Sequence, residues 1–410
     1  MTRLLGQVTT LLLYGASPLV AALAPFAVVP AVTSRYGADG WAACAVALSV
    51  GAGAAVVAEL GWVVVGPQRV ARDPARCAEV HHDALASRLV ALVVVAPIAA
   101  VAVALLVDEH RAAAVLLTLG IAAGALSPTW LFVGLGRPGL TLLCEAVPRV
   151  VLALAAAAVI TVGGPLEAYG LASLTAAAVT LVAAGRAVGV RITPTGERLL
   201  AVPSIVRGQL VVTTGRAVTA LYKTLPAALL QSVAPGSVAA FGAIDRLARA
   251  GLGVVAIVPQ RLQVWVGTPD ADLAVRRTVT SLAVNAALAL ASAVAVLVAL
   301  PPAVEVLFTG VVEVERGAVA VAALLVALTC LSRAFGLALV TLGVVRVTTV
   351  AAIAAAAIGV TGVLWGGAAG GATGALLGVA AAEAVAVGVQ AAVVVPLLVG
   401  SRRASPGSPT

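Results

Sequence analysis

Six basic side chains, Arg149, Arg216, Lys223, Arg246, Arg249 and Arg333, sit well inside apolar stretches of this 410-residue chain. A cation at a bilayer centre costs about 2.5–3.5 kcal/mol on insertion scales, so such residues face a protein interior or cavity and mark a pathway. Gln209, Arg216 and Lys223 are spaced seven apart, which places them on one helix face with Thr213 close by. Lys223 is the only lysine in the chain. Asp245 and Arg249 are four apart and can pair, as can Glu145 and Arg149, which leaves Arg246 as surplus charge. Well inside these stretches the six cations face only Glu59, Glu145, Asp245 and Glu383, a surplus of two positive charges. An anionic substrate is the simplest counter-charge. Arginine can grip phosphate oxygens bidentately, while lysine acts as a compact point charge. The plainer alternative is that the two i,i+4 pairs merely lower the cost of insertion, with Arg333 snorkelling towards one membrane face.

The elements that must carry these residues are twelve apolar stretches, near 8–31, 41–65, 87–107, 112–135, 140–162, 166–185, 205–232, 238–260, 279–300, 317–343, 347–365 and 373–399. Each is long enough to cross a hydrocarbon core of about 30 Å as a helix. At 62% hydrophobic and 10% charged, the chain lacks the polar surface of a soluble domain. Unbroken apolar runs choose helices over barrel strands, which would alternate. The expected fold is an all-α integral membrane protein with about twelve transmembrane helices in two six-helix lobes around a central cavity.

Net charge of +8 is not read as a nucleic-acid signal, because its distribution matters more than its sum. With the N-terminus inside, sixteen arginines fall on cytoplasmic segments, Arg69, Arg72, Arg76, Arg88 and Arg137 among them, against Arg35, Arg111 and Arg316 outside. That asymmetry predicts a multi-pass plasma-membrane protein with both termini cytoplasmic. The polar segments 66–86 and 186–204 are read as inner loops. The expected boundaries are an N-terminal lobe at 1–190, a cytoplasmic linker at 191–203, a C-terminal lobe at 204–400 and a disordered tail at 401–410.

The halves look like weak copies. Pro67-Gln68-Arg69 ends the second helix and Pro259-Gln260-Arg261 the eighth; Leu126-Ser127 is mirrored by Leu331-Ser332, and Arg137 by Arg346. Six helices per half keep such repeats in the same orientation. Cys44, Cys144 and Cys330 read as buried hydrophobes and Cys77 as a reduced thiol in a loop, with no CxxC pair for zinc or a disulfide framework. His81-His82-Asp83 reads as a solvated loop. No phosphate loop, nucleotide motif or nucleophile–base constellation appears, so neither catalytic residues, metal nor cofactor is expected and the chain is read as a non-enzyme.

Three motifs add a resemblance. Pro30-Ala31-Val32-Thr33-Ser34-Arg35-Tyr36-Gly37 with Gly40 resembles the end of the first helix of the Wzx-type polysaccharide flippases, in the superfamily that also holds the MATE exporters and lipid II flippases. Leu126-Ser127-Pro128-Thr129-Trp130-Leu131-Phe132-Val133-Gly134-Leu135 resembles their fourth-helix signature, and Phe241-Gly242-Ala243-Ile244-Asp245-Arg246-Leu247 the start of their eighth helix. Val133 and Gly136 stand where that family has glutamine and glutamate. The resemblance implies a transporter that carries a polyprenyl-diphosphate-linked oligosaccharide to the outer leaflet by alternating access, for cell-surface polysaccharide synthesis. Its partners would be the lipid-linked anionic glycan, membrane lipids and glycan polymerases or glycosyltransferases, with Arg216, Lys223 and Arg246 at the diphosphate. Three alternatives remain, a MATE-like drug or cation antiporter, a membrane-embedded polysaccharide polymerase or ligase, and a major-facilitator transporter, whose Gly…Asp-Arg…Gly-Arg-Arg pattern segment 66–86 lacks. The first is disfavoured by the cationic interior and by a first helix without the aspartate that MATE-type exporters are similar in carrying. The second is disfavoured by the small external loops.

Overall fold

The computed structural model describes residues 24–268, 270–344 and 346–404. Residues 1–23 of the first apolar stretch and the tail from Ser405 lie outside them. Among the described residues the chain is helical, with no strand. Fifteen helices carry the argument: α1 Val29–Ala58, α2 Trp62–Arg72, α3 Cys77–Leu106, α4 Arg111–Ala123, α5 Thr129–Gly134, α6 Val147–Thr161, α7 Glu167–Val188, α8 Gly196–Leu200, α9 Val202–Thr224, α10 Pro226–Gln231, α11 Val238–Val255, α12 Ile257–Val266, α13 Ala271–Leu307, α14 Arg316–Thr341 and α15 Arg346–Ala404. Eight described helical spans are long and apolar enough to cross a membrane. α9 and α11 are not among them, because their charged residues lower the apolar content, which is the property that drew attention to them.

Two of the expected loops are glycine breaks within longer helices. Gly37 takes φ 64°, ψ −159° inside α1, separating the end of the first stretch from the second. A Cβ there would meet nothing within 4 Å, so glycine is required by conformation and not by space. In α15 the break falls at Gly370 and Gly371, the latter at φ 56°. The two arms fold back on each other, with Gly366 against Gly374 and Gly362 against Gly378. A Cβ on Gly362 would stand 2.7 Å from the Gly378 Cα, so this hairpin depends on small residues that let two backbones touch. Pro301 and Pro302, expected in an external loop, lie inside α13, which runs on to Leu307.

Segment 66–86 is also more ordered than a loop. α2 and α3 are joined by a short 3₁₀ turn, Pro74–Arg76. His81 and Cys77 lie on α3 and are buried at 2% and 8% exposure, which corrects their reading as solvated loop residues. Cys77 belongs to a buried apolar cluster with Leu60, Trp62, Val70, Ala84, Trp130 and Leu131.

Packing groups the chain into two compact units, one through Gly242 with Glu305–Val312 and the other Ala243–Val304 with Glu313 onward. The sequence symmetry that proposes a boundary at 191–203 is a separate property from this packing. In the first unit α1 is central, touching α3, α4, α6 and α9. Phe308 packs edge-on against Trp41, ring centroids 5.1 Å apart, and the Trp41 indole N–H donates to the Ala239 carbonyl. In the second unit α14 packs along α15, and Ala338, Leu339, Val394 and Leu398 form a buried cluster.

Candidate functional site

The first unit holds a charge network built on two broken helices. α1 ends at Glu59 because Leu60 and Gly61 take φ 49° and 74°, left-handed values that stop an α-helix. The chain restarts as α2 at Trp62, whose indole N–H donates to Ser87 Oγ at 2.9 Å and whose ring lies 5.9 Å from that of Trp130. Glu59 is thus fixed at a joint. From α9, Arg216 Nη2 donates to Glu59 Oε2 at 2.7 Å, with side chains 30% and 21% exposed. The pair spans 157 positions in sequence. Arg216 Nε is buried and has no hydrogen-bond partner among the described residues.

The second break lies between α4 and α5. Ser127 precedes a proline and is pushed to ψ 125°, so the helix stops there. A carbonyl freed at membrane depth needs a donor, since water is absent from the hydrocarbon core. Arg88 of α3 supplies it: Nη1 and Nη2 both donate to the Ser127 carbonyl, at 3.2 and 2.8 Å, and the guanidinium lies 6.0 Å from the Trp130 ring centroid. Arg88 is 2% exposed. Its charge is felt by Glu59 and Glu145, the carboxylates that offset it. Glu145 itself sits in a π-turn, Leu142–Ala146, and pairs with Arg149 at 2.7 Å. Such π-turns concentrate at functional positions.

The first unit therefore holds Arg149, Arg216 and Lys223 of the six expected cations. Lys223 ends α9, its ammonium 5.3 Å from the Tyr222 ring centroid. Gln209, on the same face, is 2% exposed and directs its amide at the Leu60 carbonyl and the Trp62 indole. Arg246, Arg249 and Arg333 belong to the second unit. There Arg249 Nε donates to Asp245 Oδ2 at 2.6 Å, one turn away on α11, as the spacing predicts. Arg333 of α14 donates to the Leu252 carbonyl at 3.2 Å. It is therefore held by a neighbouring helix, and its snorkelling is not needed.

Sequence reading missed two residues. Arg88 was counted with the solvated cytoplasmic arginines, but it is buried under a helix break. Glu59 appeared only as one of four acids, whereas it is the direct partner of Arg216. Proline directly after Ser127 was the available signal for the first; nothing local marked the second. At the edge of the unit, Arg198 of α8 bonds Asp83 at 2.7 Å and reaches Glu79 at 3.5 Å, tying the 186–204 segment to α3. Asp83 beside it holds the Arg198 guanidinium above its ordinary range. No three His, Cys, Asp or Glu side chains gather as a metal site among the described residues.

Solved structures share this fold over nearly the whole chain. An inward-facing multidrug resistance MATE family transporter of the MOP superfamily matches with a TM-score of 0.61 at 17% identity, covering 97% of this chain and 96% of the other. The eukaryotic MATE transporter AtDTX14 matches with a TM-score of 0.67 at 12% identity, covering 98% and 99%. The fold is that of the MATE transporters. It is shared also by a MOP superfamily transporter from Pyrococcus furiosus, TM-score 0.56 at 14% identity over 96% of each chain, for which reversed polarity of the binding pocket suggests a different function. No protein-family model matches the sequence, and no curated protein does. The MATE fold confirms the expected all-α, multi-pass membrane architecture; identities this low extend to the fold alone.

Proposed function

We propose that this protein is a transporter that flips an anionic, polyprenyl-diphosphate-linked oligosaccharide from the cytoplasmic to the outer leaflet by alternating access. The observation that supports it is charge. Counted to their ends, the apolar stretches hold eight basic residues, Arg88 and Arg207 with the six expected cations, against five acids, Glu59, Glu145, Glu167, Asp245 and Glu383. Arg216 and Lys223 share one face of α9 and are the diphosphate ligands in this reading. Arg246, Arg249, Arg149 and Arg333 are further substrate-binding candidates on the charge argument, with Asp245 and Glu145 as charge partners. An inside-negative potential contributes about 2.3 kcal/mol per charge per 100 mV, so outward movement of a diphosphate follows the field without a coupled ion. Both termini and the 66–86 and 186–204 segments would be cytoplasmic, and the partners would be glycan polymerases or glycosyltransferases of the plasma membrane.

The test is flipping of a labelled polyprenyl-diphosphate sugar in proteoliposomes. Wild-type protein should flip it, and Lys223→Ala should slow it, with Lys223→Arg retaining part of the rate because charge is kept while geometry changes. Wild-type rates in Lys223→Ala and Arg216→Gln together would remove the cationic site from the reading. Since every solved structure named above is a MATE or MOP superfamily transporter, a drug or cation antiporter is the second reading; proton-dependent export of a cationic dye, with no flipping, would establish it instead.

A further inference from the structure

The Arg216 guanidinium is only half used. It places Nη2 on one oxygen of Glu59, while its Nε is buried without a hydrogen-bond partner among the described residues. A guanidinium edge is built for two parallel bonds to an anion with two oxygens, and a single contact leaves a buried donor unsatisfied. Glu59 itself stands at the joint between α1 and α2, next to two left-handed residues, with its side chain 21% exposed. Arg88 is within electrostatic reach of it, and Arg88 Nε likewise lacks a partner among the described residues.

We infer that Glu59 is an internal competitor for the substrate anion. Its carboxylate holds Arg216 while the site is empty; an arriving diphosphate takes the Nε–Nη2 edge and displaces it towards Arg88. The exchange leaves no carboxylate without a counter-charge, because the Arg88 guanidinium lies within electrostatic reach of it. This rests on the diphosphate reading given under Proposed function, and adds a residue that sets how tightly the anion is held and how it is released. An empty Arg216 would bind the anion more tightly and let it go more slowly, since an internal competitor lowers apparent affinity by the fraction of sites it occupies.

The test uses the full chain in nanodiscs and three probes: geranylgeranyl diphosphate, inorganic pyrophosphate and geranylgeraniol. Glu59→Gln should tighten geranylgeranyl diphosphate binding about tenfold and slow flipping. Glu59→Asp keeps the charge but withdraws the carboxylate by one methylene, so it should tighten binding several-fold as well. Wild-type affinity in Glu59→Asp would mean that long-range repulsion alone acts, and would overturn the inference; so would wild-type affinity in both variants. If Glu59→Gln does not stay folded, Glu59→Asp decides alone. Pyrophosphate following the same order separates recognition of the diphosphate from recognition of a lipid; a tightening seen only with the prenylated probe would overturn the assignment to the Arg216 edge. A wild-type protein that binds geranylgeranyl diphosphate no better than geranylgeraniol would take the diphosphate reading down with it. Diphosphate binding with unmoved Glu59 variants would leave that reading standing.

Discussion

Two kinds of ion pair hold buried charge in this protein. In the second unit, Asp245 and Arg249 are one turn apart on α11 and pair within their own helix, as Glu145 and Arg149 do in the first, with Glu383 of α15 adding to the field at Arg249. In the first, Glu59 and Arg216 come from α1 and α9, and Arg88 reaches from α3 to the carbonyl of a broken neighbour. An intrahelical pair is present as soon as its helix forms in the membrane, so it persists in the inserted but unassembled state and adds little to assembly. A cross-helix pair exists only in the assembled unit. Its whole effect therefore falls on tertiary stability.

The repeat marks show the same divergence. Pro67-Gln68-Arg69 and Pro259-Gln260-Arg261 each lie in a short helix, α2 and α12, that restarts after a break. Leu126-Ser127 falls at a break, whereas Leu331-Ser332 continues an unbroken α14 and is followed by Arg333. Two arginines within the apolar stretches bond carbonyls of neighbouring helices: Arg88, opposite a proline break, and Arg333, opposite Leu252. The Leu252 carbonyl also accepts from the Ala256 N–H, so it keeps a partner without Arg333.

The largest effect expected from this comparison is at Arg88. Arg88→Leu removes both donors to the Ser127 carbonyl and leaves Glu59 and Glu145 with one counter-charge fewer; breaking a buried charge network this way costs about 3–5 kcal/mol. Thermal unfolding in detergent should show a large drop, and unchanged stability would break the contrast between the units. Next comes a pair of double-mutant cycles. Glu59→Gln with Arg216→Gln should give a coupling of about 1–3 kcal/mol, while Asp245→Asn with Arg249→Gln should give about 0.5 kcal/mol or less. Equal couplings would overturn the contrast between the two pairs. For the same reason Arg216→Ala should destabilise the protein, because it strands Glu59. The smallest effect is at Arg333. Arg333→Gln should cost about 1 kcal/mol, one hydrogen bond to a carbonyl that keeps another donor, and a loss as large as that at Arg88 would show that α14 carries an equivalent load.

Much of the fold was legible in the residues alone. Long apolar runs with few charges force helices in lipid, because each helix closes its own backbone hydrogen bonds, and the i,i+4 pairs Glu145–Arg149 and Asp245–Arg249 follow from helical periodicity. Paired glycines at 366–367 and 370–371 announced the turn and close packing of the α15 hairpin. What only the tertiary structure decided was everything that joins distant segments. Glu59 and Arg216 lie too far apart in sequence for any periodicity to connect them, and Arg88 looked like one more arginine at the end of a polar segment. Its role depends on where α4 stops, and on which neighbouring side chain can reach the carbonyl that the proline leaves behind. Local rules determine which residues can form a helix; which buried charge meets which is settled by packing, since a charge in lipid takes its partner from whatever helix lies alongside.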